Sequence, residues 1–288
     1  MWTLRRLAPA LLVATTLGGC VTSVQAQGPL PANGRAEAGS PYAPTYADLA
    51  DLADSAPLVV HARVRKFARV DDSRAPGLRP GHSRFYVEAD TRSLITGRTP
   101  IGERFAYLVD VPVNAQGKPP FRKKDGVLIF ARTVPGRPGE LQLVRPGAQI
   151  PWTQASESQV REIVRALLEP DAPGKVTGVR EIIHVPGTLA GEGETQIFLT
   201  TADSSAASVT VRHTPGAPPQ WGASFSELVA EVGRPPKPQS LEWYRLACFL
   251  PQNPPPGVNL SESLEARRRA DADYRLVMSE LGPCDRSM

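Results

Sequence analysis

The sequence predicts a strand-rich α+β chain: a small, closed or nearly closed antiparallel β-barrel, a linking helix, a short antiparallel meander and C-terminal helices. Three observations carry this reading. Five short strand-like runs lie between Leu58 and Val144, the first two with apolar residues at period two, and three more lie between Val176 and His213. Capped segments with helical spacing stand before, between and after those runs. The 30 prolines, roughly twice the usual share, cluster outside the periodic segments. There they act as stiff connectors and argue against long uninterrupted helices.

The chain begins with a short positive segment, Arg5 and Arg6, and an apolar run from Leu7 to Leu17. That run is too short to span a bilayer, which takes about 20 apolar residues. Residues 1–26 therefore read as an export leader. Two processing sites compete. Val24-Gln25-Ala26 offers the small residues of an ordinary cleavage site, whereas Leu17-Gly18-Gly19-Cys20 resembles a bacterial lipobox that would lipidate Cys20. An uncleaved membrane anchor is the remaining alternative. Residues 27–44, rich in Gly, Pro and Ala and without periodicity, read as a flexible tether.

Thr45 opens the first helix, with Asp48 at the capping-box position, Leu49 and Leu52 on its apolar side, and an end near Ser55 ahead of Pro57. Strands are expected over Leu58–Val70, around Phe85–Asp90, and over Phe105–Val113, Val127–Thr133 and Leu141–Val144. In the first, Val60, Ala62 and Val64 share one parity, and Arg63 and Arg65 the other.

The short helix, the apolar first strand, Ser93-Leu94-Ile95-Thr96-Gly97 and the late Gly126-Val127-Leu128-Ile129-Phe130 together resemble the OB-like barrels of netrin-type domains. The resemblance covers residues 46–147 and implies an OB-like barrel over 45–150. The N-terminal cysteines that netrin-type inhibitors use are absent, so their protease inhibition does not carry over.

A helix starting at Ser156, with Gln159 three residues on, is expected to link the two halves over 151–170; Val160, Ile163, Val164, Leu167 and Leu168 form its stripe. Val176–Val185, Thr195–Thr201 and Ser208–His213 then read as the meander of residues 171–288. Further helices are expected behind Ser224 and Glu227, behind Ser240, and behind Asn259 and Glu262. The last would bury Leu260, Leu264, Tyr274, Val277, Met278 and Leu281. Cys248 and Cys284, in an oxidising compartment, are expected to pair and pin this final helix; two separate buried thiols are the alternative.

Chemistry is hard to find in the sequence. His61, His82, His184 and His213 are scattered over different strands and loops, with no metal-ligand spacing. Gly222-Ala223-Ser224-Phe225-Ser226 lacks the final glycine of a nucleophile elbow. Glu192 and Glu194 read as a polar hairpin tip, and Asp271 and Asp273, beside Arg267–Arg269, as a solvated helix face. No phosphate loop or dinucleotide fingerprint is present, and no cofactor or metal is expected.

Charge is more informative. Residues 57–147 carry 17 Lys/Arg against 8 Asp/Glu, whereas residues 148–288 carry 13 against 17. A basic half either faces an acidic half or meets an anionic partner. Arg122-Lys123-Lys124, in a Pro/Gly-rich loop beside Phe121, is the candidate anion-binding site. The expected function is an exported envelope protein, non-catalytic, that binds an anionic surface or partner through its basic barrel. Nucleic acid is not an expected partner, and the membrane is met only through an anchor at Cys20. A scaffold role in an envelope complex, or an exported hydrolase whose site is assembled from distant residues, are the alternatives.

Overall fold

The computed structural model of the chain describes residues 43–227, 232 and 234–288. The leader, Cys20, all but the last two residues of the tether, and the helix expected around Leu228 and Val229 lie outside the described residues.

Helix α1 (Tyr46–Ser55) starts as its sequence dictates, with Thr45 and Asp48 closing a capping box. Behind it, β1 (Leu58–Arg69), β2 (His82–Thr96), β3 (Arg104–Pro112), β4 (Gly126–Thr133) and β5 (Leu141–Leu143) form one antiparallel sheet in the order β3-β2-β1-β4-β5. A short β6 (Gln149–Pro151), not foreseen, pairs with β4. Val60 and Ala62 stand opposite Ile129 and Val127, all buried, so the parity read from the sequence is the parity of the core. Three register irregularities between β1 and β2 bend the long second strand. The sheet does not close. Its edges β3 and β5 meet through one parallel bridge, Ala106–Glu140, and through Asp110 N–H donating to Pro146 O at 2.8 Å.

Helix α2 (Gln154–Leu168) begins two residues before the expected Ser156. Thr153 is the cap and Ser156, not Gln159, reciprocates its hydrogen bond, because a short hydroxyl suffices where the backbone already turns. Val160, Ile163 and Val164 are buried as expected, while Leu168 is exposed.

The second sheet is a meander of β7 (Val176–Pro186), β8 (Gly193–Thr201), β9 (Ser208–His213) and β10 (Gln220–Ser224), in the order β10-β9-β8-β7. The sequence reading missed β10, which ends at Ser224. Helix α3 (Leu241–Ala247) is capped by Ser240, and α4 (Leu264–Leu281) by Ser263 rather than by Asn259. Asn259 instead bridges the edge of β7 and donates to Arg267 O and Asp271. With the start moved, Leu260 and Leu264 fall outside the buried stripe, at 54% and 72% exposure.

Cys248, at the end of α3, is disulfide-bonded to Cys284, just beyond α4. The C-terminal residues then fold back on α1, where Ser287 N–H and Oγ both donate to Asp48. Arg245, 4% exposed, forks onto both Asp54 oxygens at 2.8 and 2.9 Å and also donates to Pro173 O. Burial works against ionisation of Asp54, but the hydrogen bonds and charge of Arg245 outweigh it and hold this carboxyl below its usual range.

Candidate functional site

The basic loop is built on a rigid base. Phe121 is buried, with its ring 5.1 Å from Phe67 and 6.0 Å from Phe85. Asp125 accepts from Arg122 N–H at 2.7 Å, and Lys124, with φ at +75°, donates its own N–H to Val64 O. Lys is unusual in this left-handed region. The turn presents Arg122, Lys123 and Lys124 to solvent. None of these three has a carboxylate partner among the described residues, whereas their basic neighbours do: Lys66 reaches Glu88 at 2.7 Å, Arg69 pairs with Asp72, and Arg84 with Asp110.

The seam that β3 and β5 leave open adds to this charge. It forms a groove of about 650 Å³ whose lining includes Arg84, Arg132, Arg137 and Arg145 against Asp110 and Glu140. Both carboxylates are engaged, by Arg84 and Arg137. Arg132 and Arg145 have no carboxylate partner among the described residues, and Arg145 Nη2 is enclosed without an acceptor.

A second constellation lies on the other sheet, and it overturns one reading of the sequence. Asp273 is not on a solvated face; it is 2% exposed. Its carboxylate accepts from Thr195 Oγ1 through one oxygen and lies 2.8 Å from His213 Nε2 through the other. His184 Nδ1 stands 2.8 Å from the same threonine hydroxyl. Each position follows from the meander: His184 is directly opposite Thr195, and His213 directly opposite Gly193 two residues earlier on β8. A side chain at Gly193 would sit 2.8 Å from His184 Cε1, so glycine makes room for the ring. The two imidazoles stand edge to face, with centroids 6.1 Å apart.

Hydrogen bonding sets the tautomers. Thr195 has one hydroxyl proton and gives it to Asp273, so it accepts from His184, whose Nδ1 carries the hydrogen. His213 likewise carries its hydrogen on Nε2. This leaves His184 Nε2 and His213 Nδ1 without protein partners among the described residues. Both rings line a cleft of about 370 Å³, walled by the 187–192 loop, the first turn of α4 and Arg269. Burial pushes the His184 ring below its usual pKa of 6.5; Asp273 pulls it up, and His213 and Arg269 push it down.

The other sequence candidates are structural. His61 stacks on Trp152 and lies 3.3 Å from Glu157, and His82 turns back to Pro80 O. Glu192 and Glu194 part company: the first accepts from Thr188 and Leu189 N–H, and the second pairs with Arg212. No group of three or more metal-ligating side chains occurs among the described residues.

The signal for the second constellation was in the sequence. His184 shares strand parity with Ile182, Thr195 with Ile197 and Leu199, and His213 with Val209 and Val211. Asp273 lies three residues after Ala270 and four before Val277, on the buried stripe of α4. A polar residue on each of four apolar faces points to a shared buried network. No protein-family model matches the chain, and no curated protein is significantly similar to it.

Proposed function

We propose that the chain, exported behind the leader of residues 1–26, binds an anionic component of the cell envelope through Arg122, Lys123 and Lys124. The observation that carries this reading is three adjacent exposed cations without carboxylate partners, on a turn held by Phe121 and Asp125. The uncompensated arginines of the β3–β5 groove extend the same field. Matching of the basic half to the acidic half would leave fewer such cations free. Cys20 is the proposed anchor where lipidation occurs. No helix among the described residues is long and apolar enough to cross a membrane.

The OB-like reading of residues 46–147 belongs to the same proposal. It is supported by β1 standing between β2 and β4, and by the parallel approach of β3 and β5.

The test is retention on vesicles containing anionic lipid, with poly-glutamate as a soluble competitor. Each basic residue near an anionic surface contributes about 1 kcal/mol. Arg122→Gln with Lys123→Gln and Lys124→Asn should therefore lower partitioning by up to about 100-fold at low salt and flatten the salt dependence. Asn suits the left-handed position. Wild-type retention in the triple variant, or no salt-sensitive binding by the native chain, would sink this reading.

A further inference from the structure

The buried His184–Thr195–Asp273–His213 network has no use in anion binding by the first sheet. Interior polar groups of this kind are usually closed on themselves, with every donor and acceptor matched. Here the matching stops one atom short on both rings. His184 and His213 are each 9% exposed, and each turns one ring nitrogen away from the network in the wall of the same cleft. From this geometry we infer that the cleft is an acid–base site that hydrolyses phosphodiesters, with His184 as general base and His213 as general acid.

The division of roles follows from what backs each ring. His213 bonds directly to the Asp273 carboxylate, which compensates a positive charge on that imidazole. His184 meets a hydroxyl instead, and its Nδ1 is 4.0 Å from the nearer Asp273 oxygen, so its ring rests neutral with the Nε2 lone pair free. In the reaction a water proton passes to His184 Nε2 while the water oxygen bonds to phosphorus. The bond from phosphorus to the leaving oxygen breaks, and His213, reacting as the imidazolium with Nε2–H still on Asp273, gives its Nδ1 proton to that oxygen. A phosphomonoester and an alcohol result, and proton exchange with solvent resets both rings. The span of 6.1 Å between ring centres allows one tetrahedral group to reach both. Asp273 and Thr195 are positioning residues.

The substrate class follows from the rim. Arg269 lines the cleft and has no carboxylate partner among the described residues. Ser263 Oγ takes the Ala266 amide, and the amides of Leu264 and Glu265 have no acceptor within the helix. Glu192 is already engaged by two loop amides, which leaves Glu265 as the uncommitted carboxylate on the rim. One free guanidinium and a helix start suit the single negative charge of a diester better than the double charge of a monoester.

The experiment uses the full chain with chelator present. Release of nitrophenolate from bis(p-nitrophenyl) phosphate is followed by absorbance, and cleavage of glycerophosphoglycerol by phosphorus NMR. The native protein should turn over both, with a bell-shaped pH profile for the glycerol diester and only the limb set by the base for the nitrophenyl one. His184→Asn should slow both by about 100-fold or more. His213→Asn should slow the glycerol diester comparably and spare the nitrophenyl one, whose leaving group needs no proton. Because these rings are buried, Arg269→Gln, which is exposed, provides a second variant: it should raise KM about tenfold while the melting temperature stays put. Absence of turnover by the native chain overturns the inference, as do native rates in both histidine variants or an unchanged KM in Arg269→Gln. Vesicle binding is read separately, so either reading can fail alone.

Discussion

The two sheets handle charge in opposite ways. On the first, cations sit on the outside: Arg122, Lys123 and Lys124 project from a turn whose backbone is satisfied without them. On the second, His184, Thr195, His213 and Asp273 lie inside and bond to one another across three strands and a helix, leaving one ring nitrogen of each histidine over. The contrast separates charge that serves an encounter from charge that holds a fold. Removing an exposed cation costs little stability, because water replaces whatever it touched. Removing a member of a buried network strands its partners. Stability and binding should therefore respond to different substitutions.

The largest effect is expected at the disulfide that secures the acidic half. Closing a 36-residue separation stabilises a chain by about 4 kcal/mol in the chain-entropy treatment. Cys284→Ser should lower the denaturation midpoint by a corresponding amount, and reductant should do the same to the native protein but not to the variant. An unchanged midpoint would mean that the helices and the C-terminal contacts to Asp48 hold α4 without it.

Next comes Asp273→Ala, which leaves Thr195 and His213 without their acceptor inside the fold. A loss of about 3 kcal/mol is expected, read by chemical denaturation and by faster hydrogen exchange in the second sheet. Under 1 kcal/mol would show that the network contributes little, and that the two sheets do not differ in how their polar residues serve stability.

A smaller effect depends on pH. Burial holds His184 below its ordinary value of 6.5, so the unfolded chain takes up this proton first as pH falls. The contribution of His184 is fully present above about pH 6.5 and is lost as pH drops through the lower folded value. His184→Gln should flatten the pH dependence of the denaturation midpoint in that window. The depressed carboxyl of Asp54 acts lower, below its ordinary 3.8. A slope unchanged by the substitution would place the titration elsewhere.

The smallest stability effect belongs to the basic loop. The triple variant that should weaken vesicle binding is expected to shift stability by under about 0.5 kcal/mol. Phe121, not the cations, ties this loop to the core. A larger loss would mean that the exposed charges are structural after all.

Much of this molecule could be read locally. The parity of β1 and β2, the existence of β7, β8 and β9, the Thr45 and Ser240 caps, the Cys248–Cys284 pair and the exposed Arg122-Lys123-Lys124 depend on neighbours a few residues away or on a small choice of partners. Period and cap are short-range physics, and the sequence by itself determined them. Three things required the tertiary structure. Whether β3 and β5 close the first sheet depends on how far the irregularities between β1 and β2 bend it, which no local pattern states. The α4 start moved to Ser263 because Asn259 is occupied at the edge of β7. The polar network joins residues 78 positions apart, Thr195 and Asp273, and a buried polar group is tolerable only if its partner arrives from elsewhere in the chain. Burial turned four unremarkable residues into one unit, and burial is decided by packing.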